Sequence, residues 1–364
     1  MDYTDAEPYW DSRDAVLSEG ITYVAETQTL LWVDIYRAEV HKLEDVDDLG
    51  THEVFYARGA GSVGAVFPIY SANSSRFCSG RSSGTPSGTP SGGLTRTQSA
   101  NGCSRHCSSS SASIEEFFFA AKKGVARGSF RTGQWEYVAL YESSGLDAAR
   151  LARLRSNDGC VHGEHVYVGL IDDFDQPGPV SDDGCVVRVS LRNYDVEVVW
   201  PHIRIPNGLH WMADGDMLLT DSLQGCLWQV DARAGVPSGA RRFIDVRPHC
   251  GDLQDMPEPD GSCTDAARAL LFVAVWSAAR VQVYSLADGS FVKDISLPPE
   301  TPRVSSCVLV GSDLWVTTGS EWLGTQWAGT RPSRGGCIYR LRGVIPEGEP
   351  EFSSNKVVTV VQGH

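Results

Sequence analysis

The chain has 364 residues, 41% of them hydrophobic, with 10 Trp and 37 Gly, enough for two ordinary domains or one large all-β architecture. Its formal net charge of −15 argues against nucleic acid or an anionic membrane surface as the main partner, because phosphate binding calls for a basic stripe. The opening residues "MDYTDAEPYWDSRDAVL" are acidic and show no basic region followed by an apolar run, so no secretory signal is expected. The most apolar window, "ALLFVAVW" at 269–276, is too short to span a bilayer. Ten cysteines without a leader read as reduced thiols, and a cytoplasmic location is expected.

The first predicted element, "SEGITYVAETQTLLWVDI" from Ser18, is a pair of strands around a polar turn. Next, "GSVGAVFP" and "EEFFFAAKKGVARGSF" read as the two ends of one interrupted β unit. Between them, residues 69–113 are dominated by Ser, Gly, Thr and Pro. Such a composition cannot bury enough surface to offset chain entropy, so a disordered insertion is expected within a single domain spanning 1–364. It reads as a loop insertion or as a mistranslated intron. Its Cys103, His106 and Cys107 match no standard zinc spacing. "LDAARLARLR" (146–155) has helical character or is an extended connection. After it come "HVYVGLI", "CVVRVSL", "DMLLTDS", "CLWQVD", "LLFVAVW", "VQVYSL", "DLWVTTG" and "CIYRLRG". All are strand-length, rich in β-branched or aromatic residues, and bounded by turn residues, so the class is all-β.

One pattern recurs. The stretches beginning at Ser18, Ser156, Pro206 and Pro259 each place an acidic or amide residue before Gly, then a short strand, a turn and a second apolar strand. From Ser156 onwards successive units lie roughly 50 residues apart, and "SSCVLVGSDLWVTTGS" at 305–320 continues the series. A period of that size with several strands per unit predicts a six-bladed β-propeller once the insertion is set aside. Equivalent positions of successive blades then converge on one channel. Glu19, Asn207 and Asp260 become a candidate oxygen-ligand set for a hard divalent cation, or hydrogen-bonding groups that close blade turns. No Gly-x-Ser-x-Gly elbow is present to support a serine hydrolase.

"SEGITY...LLWVDI", "RSNDGCV", "IPNGLHW...DMLLTDS", "EPDGSCTDA...LLFVAVW" and "GGCIYRLRGV" together resemble the family of SMP-30 (regucalcin), gluconolactonase and luciferin-regenerating enzyme. The resemblance implies one divalent cation (Ca, Zn, Mg or Mn) held by Glu19, Asn207 and Asp260, with Arg155 and Asn157 facing the substrate. An acidic residue after "VYVGLI", Asp172 or Asp173, would also meet the substrate. Departures are Ile21 in place of the family's Pro and Ser156 in place of its common Phe. The implied activity is hydrolysis of a small-molecule sugar lactone, with Asp260 accepting the proton of the attacking water; the alternatives are a calcium-binding regulatory propeller without turnover and an interaction scaffold. Near the implied site, His210 is expected to pack rather than line the channel, and Asp34 and Asp221 to cap turns, with the channel rim as the alternative for Asp221. Cys160, Cys226, Cys263 and Cys307 are expected to serve as small core residues.

Overall fold

A computed structural model describes residues 1–12, 14–72, 113–233, 237–251, 256–320, 335–346, 356 and 358–361. Its strands form six antiparallel sheets, each built in chain order from the centre outwards. The first contains β1 (Ser18–Val24), β2 (Thr29–Asp34), β3 (Glu39–Leu43) and β4 (His52–Tyr56). The second contains β5 (Val63–Ala72), β6 (Glu116–Ala121), β7 (Gly124–Ser129) and β8 (Trp135–Leu140). A single helical turn and a half, α1 (Ala148–Arg153), leads into the third: β9 (Leu154–His162), β10 (His165–Asp172), β11 (Cys185–Ser190) and β12 (Val196–Trp200). The fourth is β13 (Pro206–Trp211), β14 (Met217–Asp221), β15 (Cys226–Asp231) and β16 (Ser238–Asp245). The fifth is β17 (Glu258–Asp265), β18 (Leu270–Trp276), β19 (Arg280–Ser285) and β20 (Phe291–Ser296). The sixth is β21 (Val304–Val310), β22 (Asp313–Thr318) and β23 (Ile338–Leu341). A last strand, β24 (Val358–Val361), pairs parallel with the end of β5.

The first strands touch in a closed ring, β1 to β5, β9, β13, β17, β21 and back to β1, so the architecture is the expected six-bladed propeller. Neighbouring blades pack face to face, which explains the uninterrupted apolar runs in the sequence: all six residues of β2 are buried, as a strand covered on both faces requires. Phe67, Phe117, Phe119, Phe272 and Trp315 fill the layers between blades. The N-terminal segment closes the circle: the amides of Tyr9 and Trp10 donate to Ile338 O at 2.8 and 3.1 Å, so this segment pairs with the outer edge of β23.

Residues 73–112, which carry Cys103, His106, Cys107 and nearly all of the expected insertion, lie outside the described residues. The strands flanking them are adjacent, with Pro68 opposite Phe117, so this stretch connects two neighbours of one blade. Ile69–Ala72, assigned to the insertion from composition, instead belong to β5, where they extend the strand and pair with β24. Of the expected helical stretch only Ala148–Arg153 is helical, capped by Asp147, whose Oδ1 accepts from Arg150 N at 2.9 Å. Leu154 and Arg155 already belong to β9.

Each innermost strand carries one extra residue against its partner. The bulges fall between Glu19 and Thr22, Val63 and Val66, Ser156 and Gly159, Asn207 and Leu209, Pro259 and Ser262, and Val304 and Ser306. A bulge re-aims a side chain that the regular alternation would bury between blades. This is the physical content of the repeated acid-or-amide-before-Gly pattern.

Candidate functional site

Four of these bulges supply the polar wall of a cavity of about 210 Å³ at the centre of the ring, formed by Glu19, Arg155, Asn157, Asn207, Glu258 and Asp260. Ile35, Ile171, Ile205, Phe174 and Trp276 make its apolar sides. The three proposed ion ligands, from the first, fourth and fifth blades, therefore face one space, together with both proposed substrate residues of the third.

Glu19 and Asp260 are buried, at 5% and 8% exposure, and lie near enough for each to perturb the ionisation of the other. Burial pushes both well above the ordinary carboxylate range; Asp158 adds to the rise at Glu19, and Glu19 itself at Asp260. A proton shared between two acids is the natural state of such a pair with no cation between them. The role expected for Asp260, accepting a proton from water, needs the ionised carboxylate and therefore presupposes the ion. Among the described residues no three His, Cys, Asp or Glu side chains converge as a metal cluster. The donor set is instead two carboxylates and the Asn207 amide.

A chain of hydrogen bonds holds Asn207. Arg155 Nη1 donates to Asn157 Oδ1 at 3.0 Å, Asn157 Nδ2 donates to Asn207 Oδ1 at 2.6 Å, and Asn207 Nδ2 donates to Ser222 Oγ at 2.9 Å. Ser222 Oγ in turn donates to Pro259 O, 2.7 Å away in the next blade. The Arg155 guanidinium lies 4.0 Å from the Phe174 ring centroid, and its buried Nε has no hydrogen-bond partner. Burial lowers its pKa to about 10, with Asp173, Glu19 and Asp260 pulling the other way.

Of the two acids left in register, Asp173 is the one beside Arg155, its Oδ1 4.0 Å from Nε, and it also pairs with Lys122. It does not line the cavity, because Phe174 stands there instead; Asp173 backs the arginine. Asp172 is spent on the following loop, accepting from Ser181 N at 2.6 Å. Ser156 points away from the cavity, its Oγ 2.7 Å from both Tyr141 Oη and Ala121 O. His210 is buried, contacts Ser262 Oγ at 2.7 Å, and is driven down to about 4 by desolvation. Asp34 accepts from Arg37 N at 3.1 Å and Asp221 from Gln224 N at 3.3 Å, both as turn caps; Asp34 also accepts from Val16 N at 2.7 Å, which ties the entering chain to β2. Cys160, Cys226 and Cys307 are buried, while Cys263 is partly exposed.

Sequence reasoning missed Glu258, Phe174, Ser222 and Trp276. Glu258 stands two residues before Asp260 in the Glu-Pro-Asp-Gly element, paired with Trp276 just ahead of the bulge, and faces the same cavity. Burial raises its pKa, with Arg247 opposing. Trp276 ends the second strand of its blade and Phe174 lies in the loop just after β10, where strand patterning says nothing about which residue overhangs the channel.

Comparison with known proteins agrees with this architecture. Residues 17–320 match the family described as SMP-30/Gluconolactonase/LRE-like region. The chain is 35% identical over 363 residues to the uncharacterized protein YBR053C of Saccharomyces cerevisiae, covering 97% of this chain and 95% of that one. Among solved structures it resembles a luciferin-regenerating enzyme with TM-score 0.68 and 18% identity, covering 97% of this chain and 100% of that one. It also resembles a calcium-binding protein, regucalcin, from Agrobacterium tumefaciens with TM-score 0.67 and 20% identity, covering 99% of each. The chain belongs to the SMP-30/gluconolactonase/LRE-like family.

Proposed function

We propose that this protein is a divalent-cation-dependent hydrolase that opens a sugar lactone to its hydroxy acid. The observation that carries the reading is the single small cavity in which a buried carboxylate pair, an amide and an arginine from separate blades meet. The donor chemistry fits a hard cation: a carboxyl pair whose proton affinity is raised chiefly by burial would give up its proton to a divalent ion. Glu19, Asn207 and Asp260 would hold it. When bound, it would supply Lewis-acid polarisation of the lactone carbonyl.

The remaining steps fall to side chains. Arg155, backed by Asp173 and stacked on Phe174, with no hydrogen bond made at Nε, orients substrate oxygens through donors that need little reorganisation. Asn157 fixes Asn207 and shares the substrate face. Asp260, ionised once the pair has lost its proton, accepts a proton from water as the water oxygen adds to the carbonyl carbon. The ring C–O bond then breaks and its oxygen takes up a proton, giving the hydroxy acid. Ile35, Ile171, Ile205 and Trp276 surround this chemistry with apolar walls, which strengthen each polar contact.

The test is proton release on a panel of sugar lactones, after chelation and again with calcium, magnesium, manganese or zinc restored. Cation-dependent turnover of at least one lactone is expected. No turnover with any cation, despite a measurable binding isotherm, would replace the hydrolase by an ion-binding propeller without turnover.

A further inference from the structure

The wall of the channel below the carboxylate pair contains a charge from the other end of the chain. β24 adds to the channel-facing edge of β5, pairing Val358 with Ile69 and Val361 with Ala72. Two residues before that strand, Lys356 is buried at 4% exposure and its ammonium forms an ion pair with Asp158, whose side chain is 3% exposed. A Cβ on Gly20, the neighbour of Glu19, would lie 3.7 Å from Lys356 Nζ. The ammonium thus sits on the inner side of the same bulges that present Glu19 and Asn157 to the cavity. Asp158 follows Asn157 in the bulge of β9 and its Oδ1 also accepts from Gly159 N at 2.8 Å. Glu19 feels both charges, Asp158 with one sign and Lys356 with the other.

We propose that Lys356 is a built-in cation of the channel, a positioning residue that neutralises Asp158 and so limits how strongly the carboxylate pair above attracts a divalent ion. A buried acid here must be paired or remain protonated. An ammonium tethered to the docked C-terminal segment pairs it permanently, where a loose ion would exchange. The same positive charge, in a medium of low dielectric, opposes a divalent ion at Glu19, Asn207 and Asp260. Affinity is thereby held in a range that permits release, and the site is complete only when the C-terminal segment has docked.

This inference rests on the cation reading given above. The experiment is calorimetric titration of calcium and manganese into the chelator-treated full chain and into K356M, D158N and the D158N/K356M double variant, with thermal unfolding of each. Removing the lysine should tighten binding about tenfold or more in both backgrounds, D158N alone should weaken it by about the same factor, and the double variant should return to within about threefold of the starting affinity. K356R, which keeps the charge, should bind as the starting protein does. Should K356M not fold, the step from D158N to the double variant carries the same comparison with the charge balanced. Unchanged or weakened binding on lysine removal overturns the proposal while leaving the cation site intact. A flat isotherm for the unmodified chain with either ion overturns both.

Discussion

Asn157 Nδ2 donates to Asn207 Oδ1 at 2.6 Å, which ties the arginine-bearing bulge of the third blade to the amide in the fourth. The oxygen that accepts this bond is the one an ion would take, so Asn157 controls both the position and the electron density of that donor. Asn157→Ala should weaken cation binding by about tenfold and lower kcat/KM by about a hundredfold, as outer partners of a ligand commonly do. Calorimetry and lactone kinetics on one preparation check it; loss of activity with unchanged cation affinity would place Asn157 on the substrate side only.

The carboxylate pair predicts a pH signature. The folded-state pKa of Glu19 is raised from its ordinary value of 4.5 to about 8, and that of Asp260 is raised also. Groups raised in the folded state contribute their full share of stability below the unfolded pKa and lose it as pH rises through the folded one. The chelated protein should therefore lose stability from about pH 4.5 to about pH 8, by a few kcal/mol, and Glu19→Gln should flatten the decline. Protons compete with the ion over the same window, so cation affinity should rise with pH. Denaturant titrations with chelator and with calcium, across that range, measure both slopes.

Glu258 gives the cavity a third carboxyl, facing the same space as Arg155. A negative wall repels a substrate that carries its own carboxylate and accepts hydrogen bonds from hydroxyls. Glu258→Gln should raise kcat/KM for carboxylate-bearing lactones relative to neutral polyhydroxy lactones by about tenfold. An unaltered ratio would mean that Glu258 does not meet the substrate.

The propeller was legible because its physics is local and repeated. Runs such as "LLFVAVW" are covered on both faces, so they stay apolar throughout and stand out between turns. Glu19, Asn207 and Asp260 were legible for the same reason, each marking a bulge at an equivalent place. What stayed hidden depends on position across the channel. Glu258 adjoins a recognised motif, yet nothing in "EPDG" says that both acids face the channel. Lys356 is one lysine in "SSNKVV", and only the parallel pairing of β24 with β5 brings it beneath Glu19. Asp173 was placed beside the substrate, but the loop carries Phe174 over the cavity and leaves the acid behind Arg155.

The glycine after Asn207 makes the last prediction. A Cβ at Gly208 would stand 2.4 Å from Ser262 Oγ and 3.1 Å from Asp260 O, so the inner strands of the fourth and fifth blades touch there through backbone. Gly208→Ala must push β13 away from β17, separating Asn207 from Asp260 as well as overpacking the contact. About 1–3 kcal/mol of stability should be lost, and cation affinity should fall by about tenfold. Ser262→Ala removes the atom that is struck, so the double variant should regain part of both losses; Ser262 also meets His210 Nε2 at 2.7 Å, which keeps the recovery incomplete. If Gly208→Ala lowered stability without touching cation affinity, the spacing of these two strands would not set the geometry of the ligands.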